Sequence, residues 1–364
     1  MRRSCDGPPE TLEEIVLPMR ILVTATGLHE KGRQVLSRAG CDVRFETAPE
    51  AIAAAVRDWQ PHGILSRTVE LPGEVMRRGR DLSAIVKHGA GVNNIDVESA
   101  TRQGIPVFAT PGANAHSVAE FTVALILSVC RQVPRFDREV RGGLWDRRGE
   151  GRQFSGMTLG LVGYGRIARR VARMAACLGM SVAATDPFGD AAAARRAGVK
   201  WYDGLDDLLA GVDVLSLHCP AERGAPPIID AARLEAMKPG AFLVNTARGE
   251  LVDEAALAAA LASGHLAGAA LDTLQQEPPV ADHPLLTAPN AILTPHVGGS
   301  TPEALEAMAV GAATTLVSYL RDLASGGAPG EEIWSRCVNR AGIEGRAKDI
   351  FKAPGGTRPR HIAE

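Results

Sequence analysis

The chain has 364 residues, 45% of them hydrophobic, so it is long enough for about two domains with a buried core in each. Its 40 basic and 42 acidic side chains give a net charge of −2, which leaves no basic excess for nucleic acid or an anionic membrane. Aromatic residues make up only 4%, which favours helices packed closely on a sheet over an all-β sandwich. The composition therefore predicts a soluble α/β protein whose partner is a small molecule.

The six cysteines are scattered without a CxxC pair, so neither a zinc site nor a disulfide framework is expected. A reducing compartment, the cytoplasm, is the simplest location. The longest apolar run, residues 121–130, is shorter than the roughly 20 residues that span a bilayer. Residues 1–18 lack a continuous apolar stretch and are predicted to be an extension rather than a secretory signal.

From Met19 onward, short β-branched runs alternate with helical stretches, which is typical of βαβ units. The first series has predicted strands at 20–24, 43–45, 63–65, 85–87 and 107–109, and helices at 29–39, 50–58, 73–78 and 97–103. The second series has predicted strands at 158–162, 181–185, 212–217, 241–245, 267–271 and 292–294. Two doubly wound parallel sheets, one per domain, are therefore expected.

Three further segments connect or follow these series. Ser117, followed by Glu120, predicts a capping box that opens a long apolar helix joining the domains. Residues 131–152 interleave arginines with acidic residues and predict a solvated connector without chemistry. The last helix is expected to begin at Thr301, and the chain beyond Asp322 is Gly- and Pro-rich and is predicted to be irregular. One face of this helix carries Leu305, Ala309, Ala312, Leu316 and Leu320.

A glycine motif, GYGRIA at 163–168, directly follows an apolar strand and opens a helix. Gly163 allows a tight turn, Gly165 lets a pyrophosphate approach the backbone, and Ala168 permits close packing of the helix on the strand. Asp186 ends the next strand, where a carboxylate accepts hydrogen bonds from the adenosine ribose and repels a 2′-phosphate. In the alternative interpretation, the glycines only make a turn and Asp186 caps a loop. Because all these features are in register, the pattern predicts a dinucleotide site that prefers NAD to NADP.

Polar side chains follow the later strands of the second series where each strand ends. They are His218, Thr246 with Arg248, Asp272 and His296. In an open parallel sheet, ligands bind at the carboxyl ends of the strands. These side chains are therefore predicted to meet at the edge where the dinucleotide lies, whereas a purely structural account makes each of them a separate loop cap.

Five segments carry a resemblance to a known family. They are KHGAGVNNID (87–96), PGANAHSVAE (111–120), NTARGELVDE (245–254), LDTLQQEP (271–278) and TPHVGGST (294–301). From about Met19 to Leu323 the chain resembles the D-isomer-specific 2-hydroxyacid dehydrogenases, most of all phosphoglycerate dehydrogenases and hydroxypyruvate reductases. The resemblance implies an NAD-dependent oxidoreductase acting on a 2-keto or D-2-hydroxy acid.

The resemblance also implies how the domains are arranged along the chain. A flavodoxin-like substrate-binding domain is expected at 19–116, with 301–323 returning to it, and a Rossmann NAD-binding domain at 117–300. Residues 324–364 are expected to form an irregular tail. A homodimer is expected, with no nucleic-acid or membrane partner and no metal.

The resemblance implies a catalytic triad of Arg248, Glu277 and His296. Imidazole titrates near neutral pH and suits proton transfer to the keto oxygen, while a carboxylate on its other nitrogen fixes the tautomer. Arg248 presents a planar fork that suits a substrate carboxylate. Singly, each residue has a structural alternative: Arg248 as an ion-pair partner of Glu250 or Asp253, Glu277 as an exposed acid, and His296 as a core histidine.

The remaining contacts are also implied by the resemblance. The cofactor set is Gly163, Tyr164, Gly165, Arg166, Ile167, Asp186, His218, Cys219, Pro220, Thr246, Ala247, Asp272 and Gly298. The substrate set is Arg67, Ala90, Gly91 and Val92, together with Arg248 and His296. Arg67 lies where phosphoglycerate dehydrogenases bind the substrate phosphate, although it could equally be a surface arginine.

Two other functions fit the same motifs. One is a corepressor-like regulatory protein of the same fold that binds NAD(H). The other is a formate dehydrogenase, which Glu277 in the histidine-pairing position disfavours.

Overall fold

The computed structural model describes residues 18–149, 151–222 and 224–344. The described chain divides into two compact units: residues 18–110 together with 309–344 form the first, and Pro111–Met308 forms the second. Most of the expected N-terminal extension, residues 1–17, and the end of the expected tail, residues 345–364, lie outside the described residues.

The first unit alternates strands and helices along the chain. Its elements are β1 (Arg20–Thr24), α1 (Glu30–Arg38), β2 (Asp42–Phe45), α2 (Pro49–Ala54) continued by a π-helical stretch (Ala55–Trp59), β3 (Gly63–Ser66), α3 (Gly73–Met76), β4 (Ala84–Lys87), α4 (Val97–Arg102) and β5 (Val107–Phe108).

The second unit begins with two helices and continues as a second alternating series. Its elements are α5 (Ala115–Cys130), α6 (Val133–Arg141), β6 (Thr158–Val162), α7 (Arg166–Cys177), β7 (Ser181–Thr185), α8 (Ala191–Arg196), β8 (Lys200–Trp201), α9 (Leu205–Leu209), β9 (Val214–Leu217), α10 (Ala231–Ala236), β10 (Ala241–Asn245), α11 (Glu254–Ala262), β11 (Leu266–Leu271) and β12 (Ala291–Leu293). Short 3-10 turns lie at Gly249–Leu251 and Pro284–Leu286. Helix α12 (Pro302–Ala324) follows β12; it begins in the second unit and continues in the first, to which α13 (Glu331–Trp334) also belongs.

Both sheets are parallel, and both are doubly wound. The first has the strand order β2-β1-β3-β4-β5, which is the flavodoxin-like order. The second has the order β12-β11-β10-β9-β6-β7-β8, which is the Rossmann order with one strand added at an edge. The predicted fold class is therefore confirmed. The strand order reverses between β6 and β9, and this switch point is where ligands bind in such sheets.

The central strands are buried along their whole length, as helices on both faces of a parallel sheet require. Thr301 begins α12 as predicted, because its hydroxyl accepts a hydrogen bond from Ala304 N at 3.2 Å. On the predicted apolar face, Ala309, Ala312 and Leu316 are fully buried in the core of the first unit. Leu320 is buried there as well, whereas Leu305 is half-buried, so four of the five residues of the predicted face are confirmed.

The predicted capping box at Ser117 is wrong. Helix α5 begins at Ala115, two residues earlier, so Ser117 lies inside the first turn. Its hydroxyl donates to the carbonyl of Gly298 at 2.7 Å, while Glu120 pairs with His116 at 3.0 Å. The helix also lies wholly within the second unit, so it does not join the two units as expected.

The segment after α5 was predicted to be a connector, but it contains a helix. The alternating signs fall four residues apart in α6 and form the pairs Arg135–Glu139 at 2.7 Å and Asp137–Arg141 at 2.9 Å. Pairs at this spacing stabilise a helix. The two-residue strand β8 was also missed.

The tail was predicted to be irregular, and this is wrong for residues 331–344. After α13, the carbonyl of Arg336 accepts from Ala109 N at 3.0 Å, and Val338 N donates to Val107 O at 2.8 Å. The amide of Asn339 accepts from Val107 N at 2.8 Å and donates to Ile105 O at 3.0 Å. This segment therefore pairs with β5, and its order depends on contacts distant in sequence.

No single helix in the described chain is long and apolar enough to cross a membrane. Helices α5 and α6 reach the required length and composition only as a pair bent by 62°. Much of α5 is buried in the core of the second unit.

Candidate active site

The turn after β6 is built from backbone alone. Gly163 has φ +87°, and a Cβ on it would lie 2.9 Å from the carbonyl group of His218. A side chain is therefore excluded both by conformation and by contact. At Gly165, by contrast, a Cβ would meet nothing within 4 Å, so the space in front of this residue is open.

Helix α7 begins directly after this turn, and no side chain caps its first N–H groups. Uncapped N–H groups and the positive end of the helix dipole bind anionic phosphates. Ala168, in the first turn of the helix, is fully buried, whereas Ile167 is half-buried and Arg166 is exposed. The open space at Gly165 and the uncapped helix end fit the pyrophosphate of a dinucleotide.

Asp186 organises the same turn. Its carboxylate accepts from Tyr164 N at 2.8 Å through one oxygen and from Phe188 N at 2.9 Å through the other. The Tyr164 ring is buried edge-on against Trp201, with Arg169 over its face, so only its backbone faces the turn. A carboxylate has about four lone-pair sites, so Asp186 still has acceptor sites for ribose hydroxyls.

The residues after β9 form a neutral surface. Burial lowers the pKa of His218 to about 4, and its Nε2 lies 2.9 Å from the hydroxyl of Ser216. Burial also raises the pKa of the Cys219 thiol to about 11, opposed by a backbone hydrogen bond. Both groups are therefore uncharged at neutral pH, and Pro220 beside them is exposed. An uncharged surface suits the adenosine half of a dinucleotide, for which these residues were predicted.

Asn245 was not predicted from the sequence as part of the site. It is fully buried at the end of β10, where its amide accepts from Ala247 N at 3.0 Å and donates to Arg248 O at 2.7 Å. Thr246 is buried too, with its hydroxyl 2.7 Å from that of Thr122. A polar residue at the end of an apolar strand, three residues before Arg248, was the available signal.

Arg248 has no direct ion-pair partner among the described residues. Burial lowers the pKa of its guanidinium, opposed by the charges of Glu250 and Glu277, and one Nη donates to Ala247 O at 2.5 Å. Arginine stays protonated in proteins, so a largely desolvated cation is available here for an anion. Asp253, an alternative partner considered from sequence, instead caps α11.

His296 and Glu277 form a hydrogen-bonded pair. His296 Nδ1 lies 2.9 Å from Glu277 Oε2, and the other carboxylate oxygen accepts from Leu274 N at 3.1 Å. Burial alone would raise the pKa of Glu277, but the hydrogen bond from His296, together with the charges of His296 and Arg248, holds it below its usual value. The pair lines a cavity of about 340 Å³.

Asp272 holds the loop that carries His296. Its buried carboxylate accepts from the Thr294 hydroxyl at 2.6 Å, from Val297 N at 2.9 Å and from Gly298 N at 2.8 Å. His296 itself has φ +54°, a conformation that costs a non-glycine residue roughly 1–2 kcal/mol. The three hydrogen bonds to Asp272 offset this strain and set the position of the imidazole. Asp272 and Gly298 were predicted to line the nicotinamide, and this stays a prediction.

The predicted substrate residues of the first unit lie on the loops after β3 and β4. Arg67 follows β3, and its carbonyl accepts from the ammonium of Lys87, which also binds the side chain of Asn94. The Arg67 guanidinium has no carboxylate partner in the part of the chain that the structure describes. Ala90, Gly91 and Val92 belong to the loop after β4 and are exposed or half-buried.

Comparisons with known proteins identify the family of the chain. The sequence model for the NAD-binding domain of the D-isomer specific 2-hydroxyacid dehydrogenases matches residues 123–298. D-3-phosphoglycerate dehydrogenase from Archaeoglobus fulgidus is 38% identical over 289 residues, 79% of this chain and 54% of that protein. (S)-Sulfolactate dehydrogenase from Chromohalobacter salexigens is 42% identical over 244 residues, 67% of this chain and 79% of that protein. The chain belongs to the D-isomer specific 2-hydroxyacid dehydrogenase family.

A solved structure supports the family at the level of the fold. The TT0316 protein from Thermus thermophilus is 36% identical, with a TM-score of 0.76 over 85% of this chain and 98% of that one. Residues 123–298 are thus the NAD-binding domain of this family, and the cofactor is NAD. The chain spans 54% and 58% of two phosphoglycerate dehydrogenases that it matches.

Proposed function

We propose that the protein is an NAD-dependent oxidoreductase that interconverts a 2-keto acid and a D-2-hydroxy acid by hydride transfer. The observation that carries the proposal is the 2.9 Å hydrogen bond between His296 and Glu277, in the same unit as the dinucleotide turn at Gly163 and Gly165. An imidazole oriented by a carboxylate is suited to moving one proton to or from a reacting oxygen.

Bound at the turn of Gly163 and Gly165, NADH would supply a hydride for the keto carbon, and the negative charge that develops on the keto oxygen would then need a proton. Because Nδ1 of His296 faces Glu277, Nε2 is the atom that donates the proton to this oxygen. Glu277 stabilises the imidazolium that must form before the proton is transferred. In the oxidative direction, the same nitrogen accepts the proton from the hydroxyl group. General acid–base catalysis of this kind contributes roughly 10²- to 10⁴-fold.

Arg248 binds the substrate carboxylate in this proposal. Its guanidinium forms no direct ion pair with any described carboxylate, and burial strengthens its interaction with an anion. A bidentate contact fixes the plane of the carboxylate and therefore the orientation of the neighbouring keto group.

The substrate class we infer is a three-carbon acid with a second anionic or polar group on its third carbon. The Archaeoglobus relative is named for phosphoglycerate and the Chromohalobacter relative for sulfolactate, and both compounds carry such an anion. Arg67 is the side chain that we assign to it, because its guanidinium lacks an acidic partner in the described chain. The unphosphorylated alternative is hydroxypyruvate.

The test is the loss of NADH absorbance with phosphohydroxypyruvate, sulfopyruvate, hydroxypyruvate and glyoxylate in parallel. Turnover with one of these acids is expected, and the ranking of kcat/KM identifies the substrate. Binding of NADH without turnover of any of these acids would refute the proposal that the protein is a dehydrogenase, and it would favour the corepressor-like alternative. Reduction of NAD by formate would instead indicate a formate dehydrogenase.

The partner we infer is a second copy of the chain, with no nucleic acid or membrane involved. Helix α6 and the residues after it expose an apolar stripe, formed by Val133, Val140 and Leu144, with the half-buried Phe136 between them. Trp145 beside it is 72% exposed. A stripe at this spacing lies on one side of a helix, and such surfaces mark interfaces. Light scattering should give the mass of a dimer for the wild type and of a monomer for Val140→Asp.

We place this dimer in the cytoplasm, which the scattered cysteines favour.

A further inference from the structure

A buried histidine–carboxylate pair, His283 and Glu254, lies in the same unit as His296 and Glu277. Glu254, the first residue of α11, is only 6% exposed, and its Oε2 lies 2.9 Å from His283 Nε2. The helix does not need Glu254 as a cap, because Asp253 already accepts from Ala256 N. Burial of a carboxylate is unfavourable unless its oxygens are hydrogen-bonded. Capping of α11 therefore does not account for the burial of Glu254 and His283.

The hydrogen bonds define the tautomer of His283. Its Nδ1 accepts from Leu285 N at 3.3 Å, so in the neutral ring the proton is on Nε2, which donates to Glu254. The other oxygen of Glu254 accepts from the backbone N–H of Gln275 at 2.7 Å. Both oxygens are thus satisfied, one by His283 and one by the backbone of the segment that contains Glu277.

Consecutive N–H groups of this segment go to the two carboxylates. Leu274 N donates to Glu277, and Gln275 N donates to Glu254. The Gln275 side chain adds a hydrogen bond to Val252 O at 2.7 Å. The backbone that fixes one oxygen of Glu277 is therefore itself held by Glu254.

The same segment touches the chain next to Arg248. A Cβ on Gly249 would lie 2.0 Å from the carbonyl carbon of Leu274 and 2.2 Å from Gln275 N. Only glycine permits so close an approach. A displacement of residues 274–275 would therefore move both Glu277 and the backbone beside Arg248.

We propose that Glu254, held by His283, is a positioning residue for the reaction. It keeps residues 274–277 against Gly249, so that the carboxylate of Glu277 meets His296. Glu254 acts only through these groups and touches neither substrate nor cofactor. The inference rests on the proposed function, in which His296 transfers the proton.

The test is a double-mutant cycle with Glu254→Gln and Glu277→Gln. In the wild-type background, Glu254→Gln is expected to lower kcat by about 10- to 100-fold, because small displacements of reacting groups have effects of this size. The Kd for NADH and the Tm should change little. In the Glu277→Gln background, the same substitution should lower kcat by less than about threefold, since the group it positions is already absent. Glu235→Gln, at an exposed carboxylate in the same unit, is the matched control.

An equal loss in both backgrounds would overturn the proposal, because Glu254 would then be structural only. His283→Gln, whose amide can still donate to Glu254, should also lower kcat in the wild-type background and less in the Glu277→Gln background, with smaller losses in both. This variant replaces Glu254→Gln in the test if Glu254→Gln does not fold.

A second measurement does not need turnover. The pKa of Glu277, followed by the ¹³C shift of its carboxyl group, should rise in Glu254→Gln as its contacts loosen. An unchanged pKa would count against positioning. If the wild type reduces no 2-keto acid, the proposed function fails, while this titration still decides the role of Glu254.

Discussion

His296 Nδ1 lies 2.9 Å from Glu277 Oε2, and the other oxygen of that carboxylate is bound by the backbone N–H of Leu274 at 3.1 Å. The imidazole is thus oriented by a group that is itself anchored. Asp272 fixes the loop on the other side of the ring through Thr294 and two backbone N–H groups. Orientation of the ring is therefore determined from both sides before any substrate binds.

Replacement of His296 by Asn should remove the proton donor and leave the dinucleotide turn intact. We expect kcat to fall by about 10²- to 10⁴-fold, while the Kd for NADH stays within about twofold. Stopped-flow absorbance and fluorescence titration measure the two quantities. His116→Asn is the matched control, because His116 also pairs with a glutamate but at the surface. A wild-type rate of hydride transfer in a single turnover of His296→Asn would show that His296 is not the proton donor.

Asp186 should determine the choice between NADH and NADPH. Asp186→Asn keeps an oxygen for Tyr164 N but removes the charge that repels a 2′-phosphate. The ratio of kcat/KM for NADPH to that for NADH should rise by about tenfold, equal to about 1.4 kcal/mol. Asp190→Asn, which alters a helix cap four residues away, should leave the ratio unchanged. A ratio unaffected in Asp186→Asn would assign Asp186 to the turn alone.

Arg67→Ala should act selectively on substrates with a second anion. We expect kcat/KM for phosphohydroxypyruvate to fall by about 10- to 100-fold, in line with the loss of a charged hydrogen bond, and that for glyoxylate by less than about threefold. Arg77→Ala, at an exposed arginine of the same unit, is the control. Equal losses on both substrates would show that Arg67 is structural.

His218 should make the protein less stable in mild acid. Burial lowers its pKa from 6.5 to about 4, so between these values the unfolded chain binds a proton that the folded chain does not. The free energy of unfolding therefore falls as the pH decreases from about 6.5 to 4, by roughly 3 kcal/mol at most for this group. Urea unfolding across this range should show a smaller fall in His218→Gln. An identical pH dependence in wild type and variant would contradict the assignment.

Asn339→Ala should destabilise the first unit. The side chain satisfies the backbone of Ile105 and Val107, and loss of such buried partners costs about 1–3 kcal/mol. Fluorescence of Trp334, which packs near Phe108, reports the unfolding of this unit in urea. Val338→Ala, at a neighbouring exposed side chain, should have little effect. A variant as stable as the wild type would show that these hydrogen bonds are replaced by water.

Much of the fold follows from local sequence. The bounds of β6, β7 and β10 match the predicted ones residue for residue. Each strand is a short, mostly apolar run with a clear end: β6 is followed by Gly163, β7 by Asp186, and β10 ends at the polar Asn245. The polar residues after the strands were found for the same reason. Such signals are local and need no knowledge of the partner.

The errors share a different physical origin. Ser117 is followed three residues later by Glu120, the spacing of a capping box, yet the Ser117 hydroxyl donates to the carbonyl of Gly298, 181 residues away. Asn339 binds Val107 across 232 residues of sequence. The role of Asp272 as the anchor of the loop that carries His296 likewise depends on partners 22 to 26 residues away. Local pattern predicts an element, but the partner of a buried polar group is determined by the tertiary structure.

The pairing of residues 336–338 with β5 has a consequence for the solution behaviour of shortened chains. Strand β5 is the last strand of its sheet, and without this segment its N–H and C=O groups would be open to another chain. Exposed edges of this kind promote aggregation by strand pairing between molecules. Residues 336–338 thus cover this edge of the sheet, and a proteolytic cut before Arg336 should make the protein prone to self-association.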